Sequence, residues 1–211
     1  FPYTTLFRSL RRHGRFDAFQ DDNFKALLRY FTLVQTPRDK TANNCALTPA
    51  VSDSLWEPSW EATMGWAAAG VAQSDPAFAA ELSFYWERAC SPLNVENSPG
   101  NWLVPFIFVD TQLAPSRPQS TRQSMHLSSG ITVFRRAATS AADEDEAYFL
   151  LSADTQRTCW HTHPDRGAIS ALYYAGVPLM LDAGDPTSYS DASFTSWYKT
   201  SKAHSMVTFG H

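Results

Sequence analysis

The spacing of apolar residues changes period part-way along this chain, and that change restricts the fold more than any single motif. In the first part Phe24, Leu27, Leu28 and Phe31 fall at i, i+3, i+4 and i+7, one face of a helix. Asp21 or Asp22 is placed to cap that helix, and Pro37 lies just past its end. A second helix is predicted after Pro58, with Trp60, Met64, Ala67 and Val71 on one face. Ser74-Asp75-Pro76 ends it and opens a third, because Pro suits the first helical position. Phe78, Leu82, Tyr85 and Trp86 give the third helix its stripe. After about residue 120 the signals turn to strand. Ile131 and Val133 alternate with polar neighbours, 148–151 reads as a short buried strand, and 177–181 is another between Gly176 and Gly184. Met206, Val207, Thr208 and Phe209 favour extended structure, and the Asp143-Glu144-Asp145-Glu146 run reads as a solvated turn. Helices first and strands afterwards predict an α+β chain: a helical layer followed by an antiparallel β-sandwich.

The apolar fraction of 44% is enough for a packed core and excludes a disordered chain. A net charge of −4 gives no global attraction to nucleic acid, anionic membrane or acidic polymer, so an anionic substrate would need a local basic cluster. No apolar run reaches membrane-spanning length. Cys45, Cys90 and Cys159 stand far apart with no CxxC spacing. They read as buried thiols rather than a disulfide or zinc framework, which leaves the redox compartment open. Residues 1–9, FPYTTLFRS, resemble a translated sequencing adapter and are set aside as a cloning or assembly scar. Both termini read as cut. The helical part is assigned to 10–95, a proline-rich connection to 96–119, and the strand part to 120–211.

Polar chemistry concentrates between residues 159 and 205. His161 and His163 are two apart, so on a strand both point to the same face. Asp182 follows an apolar strand and His204 precedes another. Imidazoles and a carboxylate gathered from separate strands suit zinc, with water completing the shell. Hydrogen-bonded core or surface residues are the plainer reading of the same pattern, since paired histidines are common without metal.

Five segments, Gly130-Ile131-Thr132-Val133-Phe134-Arg135, Tyr148-Phe149-Leu150, His161-Thr162-His163-Pro164-Asp165, Leu181-Asp182-Ala183-Gly184 and Ala203-His204-Ser205, resemble in order and spacing the C-terminal domain of heparinase II/III-type polysaccharide lyases. The resemblance implies an incomplete (α/α) toroid joined to stacked antiparallel sheets. It implies β-elimination on an acidic, uronate-containing polysaccharide, heparan-type or alginate, in a periplasmic or secreted parent protein. No nucleic-acid or membrane partner is implied, and the oligomeric state is left open. By the same resemblance His163, Asp182 and His204 stand at the positions of ligands to a largely structural Zn2+. His161 matches a histidine facing the substrate, and Tyr198, with Tyr189 second, matches a proton-transfer tyrosine. Lys202 departs from the small residue of the family pattern. Asn43-Asn44 is not followed by His, so the family's Asn-His pair and helical-domain tyrosine are expected upstream, and this piece alone is expected to be inactive.

Two other enzyme classes share the HTHP string. A JAMM-type metallopeptidase would need an Asp where Tyr173 and Tyr174 stand, although Ser170 fits. A cupin would need Glu at Gly167. A non-catalytic, metal-stabilised carbohydrate-binding sandwich is the alternative outside enzymes.

Overall fold

Asp21 opens the first helix, α1 (Asp22–Val34), its carboxylate accepting the Phe24 N–H at 2.9 Å in a side-chain N-cap. Asp75 does the same for Phe78 N–H, at 3.1 Å, in α3 (Pro76–Arg88), with Pro76 at its start. Between them lies α2 (Ala62–Val71). The structure, a computed structural model, describes residues 13–14, 17–51, 56, 62–90, 114–116, 124–136, 146–153, 167–184 and 190–207.

The helices close on one apolar core of Phe19, Leu28, Trp66, Ala67, Val71, Phe78 and Leu82. Gly70 is required there, since a Cβ would lie 2.4 Å from the Phe19 ring. The three predicted helices are present, but the α1 stripe is narrower than its spacing implies. Leu28 is buried while Leu27 is 51% exposed. Trp60 lies outside the described residues.

Strands β3 (Met125–His126), β4 (Ile131–Arg136), β5 (Ala147–Ser152), β6 (Ala168–Tyr174) and β7 (Val177–Leu181) form one sheet in that order, antiparallel throughout. Ala175 and Gly176 both take positive φ, which a two-residue turn between β6 and β7 demands. Val133, Tyr148, Leu150, Ala171 and Tyr173 line the inner face and pack against Val34 at the end of α1. On the other face Phe134, Tyr174 and Met180 are exposed. Among the described residues the strand part is one antiparallel five-stranded sheet that follows the helices, as the α+β reading expects. Met206 and Val207 lie in no strand, and 208–211 fall outside the described residues. No helix among the described residues is long and apolar enough to cross a membrane.

The helical and sheet parts are joined by polar contacts at the end of α1, where a helix leaves carbonyls without partners. Arg135 donates to the carbonyls of Leu33 and Gln35, and the Tyr148 hydroxyl donates to that of Val34 at 2.7 Å. Burial pushes the Tyr148 phenol well above its ordinary range, so it stays a donor. Glu146 bridges Arg88 of α3, at 3.1 Å, and Arg135 of β4, at 2.8 Å. This corrects the reading of the acidic run as wholly solvated: Glu146 is buried, because two guanidiniums compensate its charge. Residues 143–145 lie outside the described residues.

A small hairpin, β1 (Arg38–Asp39) and β2 (Cys45–Ala46), sits beside the β6–β7 turn. Lys40 N–H donates to Gly176 O at 2.8 Å, and the Tyr173 hydroxyl donates to Asp39 Oδ2 at 2.9 Å. Cys45 of the hairpin and Cys90 beyond α3 form a disulfide, with Cα atoms 5.4 Å apart. The expectation of buried thiols fails for this pair. Wide sequence spacing does not keep two cysteines apart once the hairpin folds back on α3. Cys90 takes a φ of +54°, a conformation glycine or asparagine usually supplies at a helix end.

Candidate functional site at Asp182 and His204

Asp182 follows β7, the last strand of the sheet among the described residues, and its main chain is held on two sides. Its N–H donates to Ser170 O at 2.9 Å, and its carbonyl accepts the Trp56 indole N–H at 2.9 Å. Ser170 is the extra residue of a bulge in β6: Leu150 pairs with Ala171 and Leu151 with Ile169. Bulges of this kind re-aim neighbouring groups. Next to it, Ile169 N–H donates to Ser205 O at 2.9 Å. The bulge thus binds the residue after His204 and Asp182 itself, drawing two distant chain segments together.

The side chains meet as a result. His204 Nδ1 lies 2.9 Å from Asp182 Oδ2 and 3.0 Å from Oδ1, and both residues are buried. Asp182 Oδ1 also accepts the Gly184 N–H at 3.0 Å. His204 Nε2 lies 2.9 Å from the Tyr198 carbonyl. A carbonyl only accepts, so Nε2 carries a hydrogen, and Nδ1 faces the Asp182 carboxyl group. In this arrangement both ring nitrogens are engaged, and the imidazole ties β7 to the turn that carries Tyr198.

Of the six predicted site residues, the structure brings together Asp182 and His204 and places Tyr198 beside them through its backbone carbonyl. Its half-buried side chain makes no hydrogen bond to the pair among the described contacts. His161, His163 and Tyr189 lie outside the described residues. An imidazole nitrogen and a carboxylate facing one another are a donor set that zinc accepts, so two of the three expected ligands fit the ion. Among the described residues no group of three or more His, Cys, Asp and Glu is arranged to hold a metal.

Sequence reasoning missed Trp56 and the Ser170 bulge. Trp56 sits 126 residues before Asp182, and no local pattern links an indole to a distant carbonyl. Ser170 carried a signal only within the rejected metallopeptidase pattern. Its hydroxyl is buried and finds no hydrogen-bond partner among the described residues.

No protein-family model matches this chain, and no curated protein is similar to it in sequence. Solved structures similar in fold include two of one lyase. Heparan sulfate lyase HepC from Pedobacter heparinus matches with a TM-score of 0.59 at 18% identity, over 96% of this chain and 26% of the lyase. A mutant of the same lyase matches with a TM-score of 0.50 at 18% identity, over 84% of this chain and 22% of the lyase. The chain spans about a quarter of the length of the lyase it matches, and over that span it has a heparinase-like polysaccharide-lyase fold.

Proposed function

We propose that this chain is part of a polysaccharide lyase that cleaves uronate-containing glycans by β-elimination. The observation that carries the reading is the buried Asp182–His204 pair at the sheet edge of a heparinase-like fold. In such a reaction the C5 proton of the uronate becomes acidic once donors or cations neutralise the adjacent carboxylate. A base removes it, and an acid protonates the departing glycosidic oxygen. His161 is assigned to the substrate side of the site, and Tyr198, with Tyr189 second, to proton transfer.

His204 is not assigned to proton transfer, because both its nitrogens are engaged within the chain. Asp182 and His204, the latter through the Nδ1 that faces the carboxyl group, would instead hold Zn2+ together with His163. When bound, the ion supplies a positive charge that ties the strand ends together and orients their neighbours. Asp182, held by Trp56, Ser170 and Gly184, keeps its carboxylate turned toward His204. The groups that neutralise the substrate carboxylate are assigned to the rest of the parent protein.

The Cys45–Cys90 crosslink supports a periplasmic or secreted parent, since disulfides persist in oxidising compartments. The test is expression of the longer reading frame, whose upstream part should encode an Asn-His pair. It is assayed on heparan-type and alginate polymers by the absorbance of the unsaturated product. Product that disappears in His161→Ala is the expected result. A longer protein that binds these polymers but never yields the product would establish the carbohydrate-binding alternative instead. The 211-residue chain alone should give no useful turnover, because part of a concerted set of groups retains little of its rate.

A further inference from the structure

The turn that receives the His204 N–H carries an exposed indole. Residues Phe194–Tyr198 form a π-helical turn, a rare local winding that recurs at functional sites. Trp197 within it is 47% exposed. The backbone beneath it is firmly held. The Trp197 carbonyl accepts both Thr200 N–H, at 2.9 Å, and Thr200 Oγ1, at 2.7 Å. Lys199 N–H closes the turn on Phe194 O at 2.9 Å, and the next carbonyl, that of Tyr198, meets His204. The indole is therefore presented from a fixed support rather than from a loose loop.

Two lysines follow it on the same segment. Lys199 and Lys202 are both exposed, and neither forms an ion pair among the described residues; Lys199 Nζ lies 4.8 Å from the centroid of the Phe194 ring. The acidic neighbour on this segment, Asp191, has its Oδ1 occupied by the Ser193 N–H and hydroxyl at 2.8 and 2.6 Å. Residues 190–207 thus carry two lysines against one aspartate, a local positive excess on a chain of net charge −4. An acidic polymer is drawn to such a chain only through local positive charge.

We propose that Trp197, with Lys199 and Lys202, forms a binding subsite for one residue of an acidic glycan, next to the Asp182–His204 pair. A pyranose ring presents a face of C–H groups that packs flat on an indole, while its carboxylate or sulfate accepts charge-assisted hydrogen bonds from the lysines. The two features select together: the indole for a sugar ring, the ammonium groups for an anionic one. This deepens the lyase reading and rests on it for the glycan class.

The experiment titrates the 211-residue chain with uronate-containing hexasaccharides prepared from heparan sulfate and from alginate, and with neutral maltohexaose. Indole fluorescence and calorimetry report binding. Wild type should bind the acidic sugars in a salt-dependent manner and maltohexaose far more weakly. Trp197→Ala should weaken acidic-sugar binding by about tenfold, the equivalent of one good contact of about 1.4 kcal/mol, and Trp197→Phe should restore most of it. Lys199→Ala/Lys202→Ala should weaken binding and flatten its salt dependence. All variants should keep the wild-type melting temperature, since the three side chains are exposed. Absent binding by wild type, equal binding of the neutral sugar, or wild-type affinity in Trp197→Ala would each overturn the subsite. Binding that follows this pattern in a longer protein yielding no unsaturated product would sink the lyase reading and leave the subsite standing.

Discussion

Glu146→Ala should be among the most damaging single substitutions in this chain. The carboxylate stands between Arg88 and Arg135 at 3.1 and 2.8 Å, and all three side chains are at most 4% exposed. Truncation would remove the carboxylate that the two buried guanidiniums share. Breaking one buried pair in this way costs about 3–5 kcal/mol. Total stabilities are only about 5–15 kcal/mol, so the variant should lose a large fraction of its folded margin. For a chain of this size each kcal/mol moves the melting temperature by roughly 2–4 °C, so a fall of roughly 6–20 °C is expected. Circular dichroism melts and urea titrations measure it, with the denaturant slope unchanged if only stability is altered. A second variant isolates the cause. Replacing Arg88, Glu146 and Arg135 together by Met, Leu and Met removes the charges as a set, which is often close to neutral. Here it should recover only part of the loss, because Arg135 also serves the carbonyls that end α1. A melting temperature for Glu146→Ala within 3 °C of wild type, an estimate set by the lower bound above, would refute the reasoning.

Reduction of Cys45–Cys90, or Cys90→Ser, should destabilise the chain by about 4 kcal/mol on chain-entropy grounds for a loop spanning 45 residues, read as a shift of the urea midpoint. Thiol labelling of denatured, unreduced protein should then find one reactive cysteine of the three. Burial raises the Glu81 carboxyl above its ordinary range, against the lowering influence of Arg29. A raised acid favours the folded state below the ordinary carboxylate range and loses that contribution as pH rises through the folded value. Glu81→Gln should therefore raise the melting temperature at neutral pH, with the gain vanishing in acid; an equal gain at both pH values would contradict this. His163→Ala, Asp182→Ala and His204→Ala should each abolish zinc retention after dialysis, measured by elemental analysis, and lower the melting temperature. Retained zinc in any of the three would remove that residue from the ligand set.

Two of the three helices were legible because each carries its own start signal. Asp21 and Asp75 accept the N–H groups expected of capping carboxylates, and the apolar spacing that follows names the buried residues Leu28, Phe78 and Leu82. The same method overstated Leu27, because spacing marks a face but not how much of it a neighbour covers. Strands β4, β5 and β7 were legible from alternation and from short apolar runs. Strand β6 was not singled out: it is paired on both sides, and its Ala-Ile-Ser-Ala-Leu-Tyr-Tyr sequence is interrupted by a bulge that breaks period two. The Cys45–Cys90 link and the buried place of Glu146 depend on which distant segments meet, and no local pattern encodes that. The Asp182–His204 pair was legible through resemblance, whereas the Trp56 contact and the Ser170 bulge that hold it exist only in three dimensions.

The carbonyls that end α1 have a consequence for how the protein is made. Their partners, Arg135 and Tyr148, follow them by 100 residues or more in the chain. On a ribosome adding about 5–20 residues per second, the last turn of α1 would wait on the order of ten seconds before those side chains exist. During that interval Asp21 holds the front of the helix while its rear has only water. The helical half can therefore begin early but not finish. Its end is completed by β4 and β5, so folding is gated by the late-emerging sheet, and a polypeptide stalled before residue 148 should present a frayed α1 to proteases and chaperones.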